Sequence, residues 1–213
     1  SFHPKIAFYK KWNSFFPALT ITALLFIAWD IYFTHLGVWG FNPAYLSGLT
    51  VLSLPIEEWL FFICIPYACV FTHFCLIHFT QITLPKRVSD ILTRVLILLL
   101  LILFILNSNK YYTSVTTFLT ALFLVYIYLI NPTLLQRFYI SYLILFIGPF
   151  LLVNGILTGS WIADQVVWYN NSENLGIRFM TIPIEDFIYG FLLFLMNLQF
   201  FDKFDSNFQP KNG

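Results

Sequence analysis

The chain has 213 residues, of which 59% are hydrophobic, 21% aromatic and only 10% charged. Because a soluble domain carries about 25% charged residues, this composition predicts an integral membrane protein. The formal net charge of +1 argues against a nucleic-acid partner, since binding to phosphates requires clustered Lys and Arg side chains.

Six apolar segments follow one another along the chain, each near the roughly 20 residues that a helix needs to cross a bilayer. They cover residues 15–36, 55–80, 88–107, 112–130, 137–158 and 182–201. The predicted fold class is therefore an all-α integral membrane protein, a multi-pass helical bundle. We expect it in the cell inner (plasma) membrane, with the lipid bilayer as its surroundings.

The distribution of basic residues predicts the orientation of this bundle. One side of the membrane would hold Lys5, Lys10, Lys11, Lys86, Arg87, Arg137, Lys203 and Lys211, and the other only Lys110 and Arg178. By the positive-inside rule, Ser1 and Gly213 are then cytoplasmic, and loops 37–54 and 159–181 face outward. Aromatic residues in these loops suit an interfacial belt: Trp39, Tyr45, Trp161, Trp168 and Tyr169.

The two halves of the chain resemble each other at an offset of 128 positions. This offset places "PIEE" at Pro55 on "PIED" at Pro183, Asn42 on Asn170 and Gly48 on Gly176. It predicts two parallel three-helix repeats, residues 1–87 and 111–213, joined by a connector helix within 88–110. The counterpart of span 112–130 would precede Ser1, so we expect the first repeat to lack its first helix. Such repeats are related by a pseudo-twofold axis along the membrane normal.

A pair of acidic residues lies at the start of an apolar helix in each repeat: Glu57 with Glu58, and Glu185 with Asp186. Acids after a helix-starting proline complement the helix dipole, which is a purely structural role. At a membrane boundary, however, an unpaired carboxylate is costly and usually functional. Burial and like-charge repulsion disfavour ionisation of all four groups, so a protonated carboxyl could serve as general acid beside a carboxylate base. All four are candidate catalytic residues.

Helix geometry separates the members of each pair, because adjacent residues diverge by about 100°. Asp186 shares its face with Tyr189 at a spacing of three, and Glu58 shares its face with Thr72 at a spacing of fourteen. These are the more polar stripes, so we expect Glu58 and Asp186 to face the interior. The first acid of each pair would then support its neighbour or cap the helix.

Four further polar residues are candidate substrate-binding residues. Asp30 lies near the outer end of its span, Tyr189 follows Asp186 on one helix face, and the 128-residue offset pairs Asn42 with Asn170. No cofactor or metal is predicted: the three Cys residues have no metal-type spacing with nearby His, and no Gly-x-Gly-x-x-Gly segment is present.

Long stretches around these acids resemble the membrane-embedded, flavin-independent lycopene cyclases. They are "WDIYFTHLGVWGFNPAYLSG" before "LPIEEWLFFICIPYACVF", and "FLLVNGILTGS" before "VVWYNNSENLGIRFMTIPIEDFIYGFLLFLMNL". "SFHPKIAFYKKW" resembles the stretch after the first helix of the family's N-terminal half. These enzymes occur as two small subunits in some bacteria, and as one fused tandem chain in other bacteria and in archaea. The present chain looks like the fused form.

The resemblance implies a cofactor-independent intramolecular lyase or isomerase that acts on lycopene or a related acyclic carotenoid. An acid would protonate the terminal double bond, the internal double bond would close a six-membered ionone ring, and a base would remove a proton. No net redox change results. Neighbouring enzymes of carotenoid synthesis are the protein partners that the resemblance implies.

Two other functional classes fit membrane repeats that carry acids. A proton- or ion-coupled transporter is the main alternative, although the sequence shows neither mid-membrane basic residues nor broken helices to bind a polar solute. Flux of protons or cations that depends on Glu58 would favour that alternative. A helical prenyltransferase would need an Asp-rich segment for magnesium diphosphate, and the sequence has none.

Overall fold

A computed structural model describes residues 1–205 and consists mainly of helices. They are α1 (Trp12–His35, after a 3₁₀ turn at Phe8–Lys11), α2 (Ile56–Thr80), α3 (Lys86–Leu106), α4 (Tyr111–Ile130), α5 (Pro132–Leu145), α6 (Leu151–Leu157) and α7 (Ile184–Phe204). Six spans are long and apolar enough to cross a membrane, which confirms the predicted all-α multi-pass fold. Lys211 and Gly213, to which the sequence assigns a cytoplasmic position, lie outside the described residues.

A π-helical segment, Phe146–Phe150, joins α5 and α6 into one span, Pro132–Leu157. Pro149 lies inside this segment. A proline has no backbone N–H to donate, and a widened turn accommodates the missing hydrogen bond. The span therefore contains one widened helical turn near its middle, and the helix continues through it.

Helix α7 lies at the centre of the bundle and packs against α1, α2, α4 and α5. Its residues Leu195, Leu198 and Phe201 are almost fully buried. Helix α3 instead packs on α4 and α5 at the periphery and exposes large apolar side chains such as Ile105 and Leu106. In a membrane protein such side chains face lipid, so α3 forms an outer wall of the bundle.

Strands β1 (Trp39–Phe41) and β4 (Val167–Tyr169) pair antiparallel between the two long loops. Gly40 lies opposite Trp168, Trp39 opposite Tyr169, and Phe41 opposite Val167. A shift of 128 positions exchanges the two strands and leaves this pairing unchanged. The loops are therefore related by a local twofold axis that passes between Gly40 and Trp168.

Each loop then forms the same small hairpin before the acidic helix. Strands β2 (Thr50–Val51) and β3 (Leu54–Pro55) pair in the same register as β5 (Arg178–Phe179) and β6 (Ile182–Pro183), again 128 positions apart. Gly48 and Gly176 both adopt positive φ, +84° and +70°, which glycine tolerates without steric cost. The two loops therefore share one hairpin geometry at an offset of 128 positions.

Pro55 and Pro183 hold equivalent positions as N-caps of α2 and α7, with φ of −58° and −57°. The sequence predicts that both prolines occupy the first helical position, whereas in the structure each lies one residue before the helix. Their extended ψ angles, 145° and 141°, explain the difference, because these values place both prolines outside the helix. Both acid pairs consequently begin in the first turn of their helices.

Gly40→Ala is expected to destabilise the protein, because a Cβ at Gly40 would collide with the indole ring of Trp168. Overpacking of this kind costs about 1–3 kcal/mol, so the apparent melting temperature in detergent should fall by several degrees. Gly148→Ala is the matched control, since a Cβ at Gly148 would have no neighbour within 4 Å. Equal melting temperatures for the two variants would contradict the tight contact.

Candidate active site

A cavity of about 260 Å³ lies beneath the β1–β4 pair, between α2 on one side and α5, the π segment and α6 on the other. Its lining is mainly apolar and aromatic, and includes Phe41, Phe61, Phe62, Tyr142, Phe146, Phe150 and Phe194. Apolar walls of this kind suit a hydrophobic ligand and exclude water from it.

Three carboxyl groups from three different helices line this cavity. Asp30 comes from the C-terminal part of α1, Glu58 from the first turn of α2, and Asp186 from the first turn of α7. Their surroundings differ, and the differences determine what each carboxyl group can do chemically.

The Asp186 carboxyl accepts three hydrogen bonds. The Tyr112 hydroxyl donates to Oδ1 at 2.6 Å, the Tyr169 hydroxyl to Oδ2 at 2.9 Å, and Asn154 Nδ2 to Oδ2 at 3.4 Å. These donors come from α4, β4 and α6, so the site depends on the folded bundle. Several donors around one carboxyl stabilise its ionised form, and Asp186 is therefore suited to be a base.

Tyr169 lies in the loop, outside the membrane-spanning helices. Its burial, together with the Asp186 carboxylate beside it, raises the pKa of the Tyr169 hydroxyl well above its usual range. The ring also stacks on Tyr112, with ring centroids 5.9 Å apart and planes inclined by 10°. The phenol therefore keeps its proton and remains a hydrogen-bond donor to Asp186.

Asp30 is 2% exposed and is held by two donors on its own side of the cavity. Trp39 Nε1 donates to its Oδ1 at 2.6 Å, and Thr34 Oγ1 donates to the same atom at 3.2 Å. Its second oxygen, Oδ2, is buried and has no hydrogen-bond partner within the described chain.

Glu58 occupies the position equivalent to Asp186 in the first repeat, yet no group in residues 1–205 hydrogen-bonds to its carboxyl. The counterpart of Tyr169 at the 128-residue offset is Phe41, which has no hydroxyl to donate. An apolar cavity without donors favours the neutral form of a carboxyl group. Glu58 is therefore suited to carry a proton.

Glu57 and Glu185 lie outside the cavity lining and instead bind the loop that precedes their own helix. Glu57 Oε1 accepts from the Ser47 amide at 2.7 Å, and Glu185 Oε1 accepts from the equivalent Leu175 amide at 2.8 Å. Glu185 also accepts from Thr113 Oγ1 at 2.6 Å and is fully buried. The structure thus separates the two members of each acid pair.

Of the candidate substrate-binding residues, Asp30 and Tyr189 line the cavity and Asn42 and Asn170 do not. The two asparagines lie in the loops, outside this lining. Asn42 Oδ1 accepts from the Ala44 amide, and Asn170 Oδ1 from the Ser172 amide, both at 3.1 Å. They form Asx turns, in which the side chain stabilises the local backbone, so the repeat preserves them as loop elements.

Several cavity residues do not follow from sequence reasoning. The sequence assigns Trp39 and Tyr169 to an interfacial belt, but both line the cavity and donate to its carboxyl groups. Tyr112 and Asn154 carry no sequence signal, because they reach Asp186 only through the packing of α4 and α6 against α7. The repeat offers one clue to these donors, because Tyr169 has a hydroxyl group and Phe41, its counterpart at the 128-residue offset, has none. Tyr45, Trp161 and Trp168 are exposed, as a belt requires.

No group of three or more His, Cys, Asp or Glu side chains in residues 1–205 has an arrangement that could hold a metal ion. Within residues 1–205, the carboxyl of Asp186 accepts from three donors, that of Asp30 from two, and that of Glu58 from none.

Comparison with known proteins gives one clear match. The family model described as lycopene cyclase matches residues 1–76 and 109–204, and the unmatched part between them contains the end of α2 and all of α3. Neither a curated protein sequence nor a solved structure matches the chain significantly. The match covers most of the chain and includes both acid pairs, the β1–β4 strand pair and the three cavity carboxyl groups, so the protein belongs to the lycopene cyclase family.

Proposed function

We propose that this protein closes the acyclic end group of lycopene or a related carotenoid into a six-membered ionone ring by acid–base catalysis. The observation that carries the proposal is the asymmetry of the cavity: within residues 1–205, Glu58 accepts no hydrogen bond and Asp186 accepts three. An isomerisation of this type requires one group that gives a proton and another that takes one.

Glu58 is the proposed acid. Its neutral carboxyl transfers a proton to the terminal double bond of the substrate, which leaves a tertiary carbocation on the chain. The internal double bond then supplies its electron pair to this cation, and the new carbon–carbon bond closes the ring.

Asp186 is the proposed base. The cation that remains after ring closure loses a proton to the Asp186 carboxylate, and the electrons of that C–H bond form the ring double bond. One proton enters and one leaves, so substrate and product are isomers. Tyr112 and Tyr169 position the carboxylate, and their hydroxyl groups offset its burial.

The aromatic lining supports this assignment in two ways. Ring faces such as those of Phe61, Phe62 and Phe146 can stabilise a nearby cation by cation–π attraction. Apolar walls also keep water away from the cation, which would otherwise be hydrated to an alcohol. Asp30 and Tyr189 are the proposed polar contacts at the edge of the substrate.

The proposal is tested by expressing the gene in a bacterium that accumulates lycopene and identifying the pigments by chromatography and mass spectrometry. A product of unchanged mass with one or two rings is the expected result. Unchanged lycopene in cells with verified membrane expression would contradict the proposed function.

Turnover by the purified protein should need neither flavin, nicotinamide nor added metal, because acid and base are both side chains of the chain. The measurement is ring formation in lipid nanodiscs after extensive dialysis, with and without a chelator. Activity that appears only after reduced flavin is added, or that the chelator abolishes, would contradict a mechanism based on Glu58 and Asp186 alone.

We further propose that Ser1 is cytoplasmic and that loops 37–54 and 159–181 face outward from the inner membrane. The basic residues near Lys5, Lys86 and Arg137 favour this orientation. A cysteine at exposed Ser172 should then react with an impermeant maleimide on intact spheroplasts, in a background in which the three native Cys residues are replaced. Labelling that requires permeabilised membranes would reverse the orientation.

A further inference from the structure

The active-site cavity opens at the side of the helical bundle. Of the lining residues within the described chain, Ala68 of α2 and Pro149 of the π segment are exposed, and the others are buried or half-buried. Helix α2 and the π segment form opposite walls of the cavity. Because each wall has one exposed residue, the mouth of the cavity lies between the middle of α2 and the π segment.

This mouth lies near the middle of the membrane. Ala68 follows the first residue of α2 by twelve positions, and Pro149 precedes the last residue of α6 by eight. At a rise of 1.5 Å per residue, the two residues lie about 18 Å and about 12 Å from the ends of their helices that adjoin the long loops. The hydrocarbon core of a bilayer is about 30 Å thick, so both residues lie at the depth of the lipid acyl chains.

An apolar groove leads from the mouth to the carboxyl groups. Its α2 wall extends from Glu58 to Thr72, fourteen positions or about 21 Å along the helix. Lining residues recur every three or four positions on both walls: Phe61, Ile65 and Ala68 on α2, and Phe146, Pro149 and Val153 on the opposite wall. A groove of this shape accepts an extended apolar chain along its length, with one end of the chain beside Glu58.

The cavity is too small to enclose a whole lycopene molecule. Pockets that bury a drug-sized ligand have volumes of about 300–1,000 Å³, and this cavity has about 260 Å³. Lycopene consists of a long polyene chain with an end group at each terminus. When one end group lies beside the carboxyl groups, the remainder of the molecule therefore has to extend out through the mouth.

We propose that the mouth between Ala68 and Pro149 is a lateral portal, through which a carotenoid end group enters from the hydrocarbon core of the bilayer. The identity of this substrate rests on the proposed function. The polyene chain occupies the portal and stays in contact with lipid while the ring closes. The two end groups of one molecule consequently enter the cavity in separate binding events.

Ala68→Trp tests the portal, because an indole ring at this exposed position fills the mouth. The readout is the lycopene that stays bound to protein purified in nanodiscs, measured by its absorbance, in a Glu58→Gln background that is not expected to close rings. Bound lycopene should fall by on the order of tenfold, since the steric overlap resembles overpacking in a core. Ala68→Leu, with a smaller side chain, should lose less.

Ile63→Trp is the matched control, since Ile63 is exposed on the same helix but lies outside the cavity lining. It should bind as much lycopene as the parent protein. With Glu58 restored, Ala68→Trp should also slow ring formation, and Ile63→Trp should leave it unchanged.

A phospholipid with a diazirine in the middle of one acyl chain supplies an independent readout on the protein without substitutions. Illumination should label Ala68 and Pro149, because both are exposed at the depth of the acyl chains. Added lycopene should displace the lipid and reduce the label at both residues. The label at Ile63 should be the same with and without lycopene.

The outcomes separate the portal from the proposed function. Equal binding of lycopene by Ala68→Trp and Ile63→Trp, or a label at Ala68 that lycopene leaves unchanged, would overturn the portal even if the wild-type protein forms rings. A wild-type protein that forms no ring, but whose binding of lycopene depends on Ala68, would overturn the proposed function and support the portal. Absence of lycopene binding by every protein tested would overturn both.

Discussion

Glu58→Gln and Asp186→Asn are expected to remove ring closure while the protein still inserts and accumulates in the membrane. The amides keep the size of the carboxyl groups and their capacity for hydrogen bonds, but they serve neither as acids nor as bases. Loss of a positioned acid or base lowers a rate by about 10² to 10⁴-fold, which places the product below detection in a pigment assay.

The measurement compares these variants with Glu57→Gln and Glu185→Gln in lycopene-accumulating cells, with each protein quantified in the membrane fraction. The second pair should retain measurable activity, because both groups face the loops and not the cavity. A reversed order of activity would refute the assignment of helix faces. Normal cyclisation by all four variants would refute the acid–base mechanism itself.

Glu185→Ala is expected to have the largest effect on stability. Its buried carboxyl accepts from the Leu175 amide in the loop and from the Thr113 hydroxyl on α4, so it fastens both to α7. A buried hydrogen-bond donor that loses its partner costs about 1–3 kcal/mol, and Glu185→Ala leaves two such donors. The loss of both bonds should lower the apparent melting temperature in detergent by on the order of 10 °C.

Glu57→Ala is the matched control for that measurement. It removes the equivalent loop bond, from the Ser47 amide, at a site with more exposure. Its melting temperature should therefore change less than that of Glu185→Ala. If both variants melt at the wild-type temperature, the buried bonds of Glu185 contribute nothing to stability.

Most of the fold could be predicted from the sequence because its signals are local. Span length and hydropathy predict all six membrane-length helices, and their ends differ from the observed ones by a few residues. The 128-residue offset predicts equivalent loops because Gly48, Pro55 and their counterparts fix backbone angles through their own chemistry. The sequence does not predict the π segment at Phe146–Phe150, because a proline such as Pro149 can be accommodated in a helix by a kink, a break or a widened turn.

Prediction of the site was less complete because the cavity is assembled from distant parts of the chain. Helical periodicity is enough to predict that Glu58 and Asp186 face the interior, because it depends only on neighbouring residues of the same helix. The donors to Asp186 come from residues 17, 32 and 74 positions away in sequence, which no periodicity encodes. Asn42 and Asn170 show a second limit of sequence reasoning, because a polar residue that recurs in both loops can stabilise a local turn.

The contact between Gly40 and Trp168 has a consequence for how such a protein can be assembled. The two residues are equivalent in the repeat, and the Trp168 ring fills the space beside Gly40. Two copies of the first half would leave a void at this contact, and two copies of the second half would clash. A self-paired half therefore cannot reproduce the observed junction. The junction therefore requires one copy of each half, and the two halves are free to differ at the adjacent positions Phe41 and Tyr169.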